Sequence, residues 1–147
     1  MIFLLDTDTL IYMVRGLKAT GRQQGRRQRA LDRVGRCRQA QKEGHAVGVS
    51  AITVSELEFG ARKGGRYEDE IAAVTKILAP FDIYDYAAVP CGRHYGHVRH
   101  ELERAGQAIG AMDLLIAAHA LSLDATLVTN NLAHFRRVPG LKATDWR

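Results

Sequence analysis

Short apolar runs alternate with longer amphipathic segments along the whole chain. The short runs are typical of strands covered on both faces of a parallel sheet, and they occupy 1–5, 46–49, 81–84 and 126–129. The longer segments predict a helix start at 9–14 and helices at 26–43, 50–63, 68–78, 94–105 and 111–121. A turn at 138–140 precedes a candidate edge strand at 141–146. The pattern predicts an α/β fold with a central parallel sheet of four to five strands flanked by helices.

Glycine residues predict an interruption after the first helical segment. Gly16, Gly21 and Gly25 follow it closely, and glycine lowers helix stability. We therefore expect the next helix, a polar one, to begin only at Arg26.

The composition indicates a single globular domain. The chain has 147 residues, of which 46% are apolar and 25% charged, and this balance excludes disordered and fibrous classes. No apolar stretch approaches the roughly 20 residues that span a bilayer, and no basic region precedes a cleavable segment, so we expect a cytoplasmic protein. Cys37 and Cys91 lie outside any C-x-x-C pattern and are expected to be reduced, structural thiols.

Positive charge is concentrated in one segment, at about residues 16–45. From Arg15 to His45 there are ten lysine and arginine residues against two acids, a local net charge of +8, so the rest of the chain carries −3 of the total of +5. Such a segment is a candidate surface for RNA phosphates. A solvated helix face is the alternative, and the sequence leaves both open.

The first strand ends in acidic residues, in the stretch MIFLLDTDTLIY. Ligand sites in open α/β sheets form at the carboxyl ends of the strands, and Asp6 stands at that end. An unpaired carboxylate buried there must raise its pKa or bind a cation. We therefore expect acidic partners from other parts of the chain.

Glu56 is the first candidate partner of Asp6, because it lies in the first turns of the helix that follows the second strand. The alternative is structural: Thr53 to Glu56 matches a capping box, in which the glutamate bonds back to the threonine backbone. Glu58 is expected to lie on the surface.

Asp113 is the second candidate partner. Its neighbours at helical spacing are Ile116, Ala117 and Ala120, which places it beside an apolar face packed on the sheet. An aspartate that merely favours the helix dipole would be free to lie on the exposed face instead. The inward position favours a functional role.

Asp6, Glu56 and Asp113 belong to different βα units, whose strands all end at one edge of the sheet. Several carboxylates without histidine or cysteine suit a hard divalent ion, Mg²⁺ or Mn²⁺. Such an ion lowers the pKa of bound water and polarises a phosphoryl group. The sequence therefore predicts metal-dependent hydrolysis of a phosphodiester.

Four blocks of sequence resemble, in this order, the VapC-type toxins of the PIN-domain ribonucleases: LLDTDTLIY, SAITVSELEFGARKG, RHELERAGQAIGAMDLLIAAHAL and LVTNNLAHFRRVPGLKATDW. The resemblance covers nearly the whole chain except about residues 16–45. It implies a PIN-domain fold and a Mg²⁺-dependent endoribonuclease that acts on structured RNA such as tRNA or rRNA. It further implies a homodimer that a small cognate antitoxin protein neutralises.

The resemblance also assigns roles to residues. It implies that Asp6 and Asp113 bind metal and that Glu56 is the catalytic helix glutamate. Two positions depart from the family pattern: Asp8 replaces the usual asparagine, and the segment that contains Asn131 replaces a fourth acid. Both are accessory candidates, and with an amide in place of an acid we expect one metal ion to be bound in the absence of substrate.

Other candidate chemistry is weaker. His94, His97 and His100 share a helix face, but their order matches no zinc-protease pattern, and an exposed polar face is expected. Phe59 and several tyrosines are able to stack on bases but are more simply explained as core or interface residues. The alternative function is a noncatalytic PIN-like module that binds DNA as a repressor complex with its antitoxin.

Overall fold

The computed structural model describes residues 1–147 and contains one five-stranded sheet. In chain order the strands are β1 (Ile2–Leu5), β2 (Ala46–Ser50), β3 (Asp82–Tyr84), β4 (Thr126–Val128) and β5 (Lys142–Thr144). Their spatial order is β3-β2-β1-β4-β5, and every neighbouring pair is parallel. The predicted α/β fold is confirmed, and the sheet has five strands where four to five were predicted.

Seven α-helices cover the sheet. They are α1 (Thr7–Leu17), α2 (Gln24–Lys42), α3 (Ala51–Lys63), α4 (Tyr67–Leu78), α5 (Ala88–Arg104), α6 (Ala111–Ser122) and α7 (Leu132–Phe135), with a 3-10 turn at Gly21–Gln23. None is long and apolar enough to cross a bilayer.

The central strand β1 separates two apolar layers, which explains its continuous apolar run. Leu5 packs in the layer beneath α1, α2 and α4, while Leu4 packs in the layer beneath α5 and α6. Both leucines are fully buried. Alternate side chains of the same strand therefore enter opposite cores, as in sheets covered on both faces.

The strand order reverses beside β1. The chain runs from β1 outward through β2 to β3, then returns to place β4 on the other side of β1. The helices that follow β1 and β4 consequently diverge, and a crevice forms at the carboxyl ends of these two strands. Asp6 directly follows β1 and Thr129 directly follows β4.

The predicted interruption is confirmed at 18–23, where Gly21 opens the 3-10 turn, but Gly16 and Gly25 lie inside helices, since α1 continues through Gly16 and α2 begins before Gly25. At Gly16 an added Cβ would collide with the Cβ of Ala30 and lie 3.0 Å from the carbonyl oxygen of Arg26. The glycine permits α1 and α2 to approach closely, so its role is packing rather than helix termination.

Two other elements differ from the sequence expectation. Helix α5 begins six residues before the predicted start, with Pro90 inside its first turn, where proline loses no intrahelical hydrogen bond. The short helix α7 was not predicted, since its four residues are too few to show a periodic pattern.

We expect Gly16→Ala to destabilise the protein by about 1–2 kcal/mol, because the overpacking of α1 against α2 exceeds the gain in helix propensity. Gly35→Ala is the matched control: its Cβ meets nothing within 4 Å, so the same change on α2 should stabilise by up to about 1 kcal/mol. Urea unfolding of both variants checks this. A Gly16→Ala variant as stable as the control would contradict the close approach of the two helices.

Candidate active site

Asp6 is the centre of the site and joins three elements. It caps α1, with Oδ1 accepting a 2.8 Å hydrogen bond from the backbone N–H of Thr7. Its Oδ2 accepts a 2.8 Å bond from the hydroxyl of Thr129, which follows β4. Its own backbone N–H donates to the carbonyl of Val128 at 2.9 Å. The carboxylate is thus fixed in the crevice beside β1 and β4, and only 4% of the residue is exposed.

The surroundings of Asp6 disfavour its charge. Burial, the neighbouring carboxylate of Asp8 and, to a smaller extent, that of Asp113 together raise its pKa to about 8, although the hydrogen bond from Thr129 lowers it. No lysine or arginine forms an ion pair with Asp6 or Asp8. The site is therefore an acidic, partly dehydrated corner with an excess of negative charge.

Glu56 is held at this corner by hydroxyl groups. The Thr7 hydroxyl donates to its Oε1 at 2.7 Å and lies 2.9 Å from the Thr53 hydroxyl. Because the Thr7 proton is committed to Glu56, the fully buried Thr53 must donate to Thr7. The chain of hydroxyls orients the carboxylate and leaves its Oε2 without a protein partner.

The capping-box alternative for Glu56 is wrong. Helix α3 begins at Ala51 with Ser50 as its cap, whose hydroxyl accepts a 3.1 Å bond from the N–H of Ile52. Thr53 is therefore inside the helix, and Glu56 lies too far along it to bond back to the cap. Its carboxylate faces α1 instead.

Asp113 lies in the first turn of α6 and contacts His134 of α7. The His134 Nε2 is 3.2 Å from the Asp113 Oδ2, although that nitrogen has no partner in hydrogen-bonding geometry, so the contact is electrostatic rather than directional. Burial raises the pKa of Asp113, the imidazole of His134 lowers it, and Asp8 raises it. Half-buried Asp113 is thus within electrostatic reach of Asp8 and Asp6.

The two accessory candidates differ in their position. Asp8 is half-buried, and its carboxylate is close enough to Asp6 to raise the pKa of Asp6. Asn131 is exposed, and its backbone N–H donates to the Thr129 hydroxyl at 3.0 Å. Asn131 therefore supports the threonine that holds Asp6, while its own side chain makes no hydrogen bond within the chain.

The acidic side chains fit a hydrated hard cation rather than an ion enclosed by protein ligands. No three histidine, cysteine or acidic side chains converge closely enough to enclose an ion. The oxygen-rich corner instead fits a hydrated hard cation such as Mg²⁺, which retains waters and binds through one or two carboxylates. Such a cation would offset the repulsion that raises the pKa of Asp6.

Apart from His134, the candidate histidines lie outside this corner. His94, His97 and His100 remain on α5 as part of no metal cluster. His119 is buried on α6, with its Nδ1 2.6 Å from the Ser50 hydroxyl, which makes it a packing residue that ties α6 to the cap of α3.

Sequence reasoning missed Thr7 and the role of Thr53, and it read Thr129 only as a substitute for an acid. A signal existed for two of them. Thr7 is the second residue after β1 and Thr129 is the first after the adjacent strand β4, at the edge where ligand sites form. The helical spacing of Thr53 and Glu56 puts both on one face of α3. The sequence did not show that α1 packs against this face.

Comparison with known proteins gives concordant matches. The chain matches the model of the PIN domain over residues 3–141. Ribonuclease VapC2 of Rickettsia felis is 39% identical over 102 residues, 69% of this chain and 75% of that protein. The tRNA(fMet)-specific endonuclease VapC of Shigella flexneri is 33% identical over 144 residues, 98% of this chain and 97% of that protein.

A solved structure has the same fold over its full length. The crystal structure of VapBC2 from Rickettsia felis bound to a DNA fragment from their promoter matches with a TM-score of 0.86 at 31% identity, and the match covers 100% of both chains.

The raised pKa of Asp6 predicts that the metal-free protein loses stability as the pH rises. A carboxyl whose folded pKa exceeds its unfolded value contributes stability that is complete below about pH 4 and is lost as pH rises towards about 8. We expect Asp6→Asn, which keeps one acceptor oxygen for the Thr7 N–H, offers its amide N–H to the Thr129 hydroxyl oxygen and cannot ionise, to exceed wild type in stability by on the order of 1–3 kcal/mol at pH 8 in EDTA. The difference should vanish near pH 4.

Chemical unfolding at the two pH values measures this effect. Added Mg²⁺ should narrow the difference at pH 8, since it stabilises only the ionised wild type. Equal pH dependence of the variant and wild type would show that Asp6 is not the group responsible.

Proposed function

We propose that this chain, which belongs to the PIN-domain family and within it to the VapC ribonucleases, is a metal-dependent endoribonuclease. We further propose that it is the toxin of a toxin-antitoxin pair. The observation that carries the proposal is the buried corner of Asp6, Asp8 and Asp113, in which burial and mutual repulsion raise the pKa of Asp6 to about 8. Carboxylates in such surroundings do not stabilise the fold, and their position is explained by binding of a cation.

Asp6 and Asp113 would hold the ion, Mg²⁺ or Mn²⁺, with Asp8 and Asn131 as accessory groups. When bound, the ion supplies a bound water of lowered pKa and stabilises charge on the phosphodiester oxygens. Thr129 and the N–H of Thr7 hold Asp6 in position for this role.

Glu56 suits the role of general base. Its Oε1 is occupied by the Thr7 hydroxyl, which fixes the plane of the carboxylate, and its Oε2 remains available to accept a proton from the attacking water. Buried Thr53 prevents Thr7 from turning away. The hydroxyl chain thus positions the base without taking part in the reaction.

The partners follow from the same membership. The Rickettsia felis relative was solved as the VapBC2 complex on promoter DNA, and the Shigella flexneri relative is named for tRNA(fMet) cleavage. We propose that this chain likewise binds a cognate antitoxin, forms a homodimer and cleaves structured RNA such as tRNA. The noncatalytic repressor module is less well supported, because Asp6, Glu56 and Asp113 are all retained.

We expect purified protein to cleave RNA only with Mg²⁺ or Mn²⁺, and Asp6→Asn and Asp113→Asn to lose nearly all of this activity. Glu56→Gln should lower the rate by about 10²–10⁴-fold, the usual contribution of a general base. Glu58→Gln is the matched control, since Glu58 is exposed on the same helix and bonds only Tyr67. Single-turnover cleavage of a labelled tRNA measures each rate, and equal rates for wild type and Asp6→Asn would refute the assignment.

The basic segment is not a uniform phosphate surface. Arg33 is buried with its guanidinium 3.8 Å from the centre of the Tyr12 ring, Arg29 donates to the Tyr12 hydroxyl at 3.0 Å, and Arg27 donates to the Leu17 carbonyl. These arginines attach α2 to α1. Deleting the segment would therefore expose a core, and only its unpaired cations are suited to a binding test.

We expect the combined variant Arg22→Gln, Arg38→Gln, Lys42→Gln to fold normally, because these exposed side chains form no ion pair or hydrogen bond. If they bind phosphates, the slope of log K against log salt for RNA should fall by about 0.7 for each phosphate that the variant no longer binds. Fluorescence anisotropy at several salt concentrations measures it. An unchanged slope would mean that these three cations bind no RNA phosphate.

A further inference from the structure

A groove of about 750 Å³ opens directly beside Glu56. Two helices form its walls, and the start of α6 closes one end with Met112, the neighbour of Asp113. The wall from α1 carries Thr7, Ile11 and Arg15, and the wall from α3 carries Ser55, Glu56, Phe59, Gly60, Lys63 and Gly64. The groove is therefore continuous with the candidate active site.

Each wall is one face of its helix. Positions 7, 11 and 15 repeat every four residues on α1, and positions 56, 59, 60 and 63 follow the same periodicity on α3. Both faces begin at the hydrogen-bonded pair Thr7 and Glu56 and lead to a cation, Arg15 or Lys63. At the helical rise, each cation lies about 10–12 Å along its helix from that pair.

The side chains that line the groove are available for a ligand. Neither Arg15 nor Lys63 forms an ion pair or a side-chain hydrogen bond, whereas nearby Lys18 is paired with Glu70 at 2.8 Å. Phe59 is 68% exposed, which is unusual for a phenylalanine, and it lies between Glu56 and Lys63. An aromatic ring flanked by free cations is the arrangement that binds single-stranded nucleic acid.

We propose that this groove is the subsite for the single-stranded RNA next to the scissile phosphate. Phe59 stacks on a base, while Arg15 and Lys63 bind phosphates of the strand leading away from the carboxylates. The inference rests on the proposed function, because it takes the acidic corner as the place of cleavage. It adds a substrate-binding role to three residues that catalysis itself does not require.

A peptide is a poorer occupant. Only three of the ten residues that line this groove are hydrophobic, whereas eight of ten are hydrophobic in the neighbouring groove between α3 and α4. Helical peptides bind through apolar faces, so they fit the second groove better. Free cations and a single exposed ring fit a polyanion that carries flat bases.

Gly60 gives the groove its depth and offers a sharp test. A Cβ at this position would meet nothing within 4 Å, so a side chain can start from Gly60 towards the groove without a clash at its first atom. We expect Gly60→Leu to obstruct the strand and Gly60→Ala to leave it nearly unaffected. Both changes favour the helix, so weaker binding cannot be attributed to a loss of structure.

The experiment measures anisotropy of a labelled, mixed-sequence single-stranded RNA on the full chain, in EDTA and in the inactive Asp6→Asn background. Phe59→Ala and Gly60→Leu should each weaken binding by about tenfold, as expected for loss of one stacked base. Arg15→Gln and Lys63→Gln should each lower, by about 0.7, the slope of the logarithm of the RNA-binding constant against the logarithm of the salt concentration. Lys76→Gln is the charge-matched control, exposed on α4 outside the groove, and should change nothing.

Cleavage and antitoxin binding separate the remaining outcomes. In the active background the groove variants should raise KM with little change in kcat. If the wild type cleaves RNA and the groove variants bind RNA as tightly as it does, the assignment of the groove is overturned and the proposed function stays intact. Variants that lose antitoxin binding but keep RNA binding would assign the groove to the antitoxin and overturn the inference. A wild type that neither binds nor cleaves RNA would overturn both.

Discussion

The carboxylate of Asp6 is the constraint on which the rest of the site depends. One oxygen caps α1 and the other receives the Thr129 hydroxyl from beyond β4, so the orientation of the helix and the width of the crevice are set by the same group. Because α1 begins at this cap, Thr7 is placed to reach Glu56. Asp6 therefore organises both the acidic corner and the position of Glu56, the proposed general base.

This organisation lowers stability. A buried carboxyl beside two others is disfavoured as an ion, and burial contributes most of the increase in its pKa. Proteins retain such conflicts at functional sites and compensate for them elsewhere. Here the compensation is the two apolar layers on either side of β1, whose leucines are fully buried directly before the charged position.

The sequence was sufficient for the sheet and for placing the candidate acids at one edge of it. The apolar run of β1 and its acidic end have one simple interpretation in a parallel sheet, and the topology then brings Glu56 and Asp113 towards the same edge. Local patterns were misleading where tertiary contacts decide. Glu56 resembled a cap residue because Thr53 precedes it, yet Ser50 caps the helix. Gly16 was read as part of the break after the first helix, yet it lies inside α1, where it packs against Ala30 of α2.

Charge was the least informative property when counted along the chain. The segment with a net charge of +8 uses several arginines to hold α2 on α1, including the buried Arg33, which is 4% exposed. In contrast, Lys63 lies outside that segment and is brought opposite Arg15 only by the packing of α3 beside α1. A surface for a polyanion depends on which cations remain unpaired and what they flank. Two free cations and one exposed ring beside the carboxylates are therefore stronger evidence for an RNA path than ten cations in sequence.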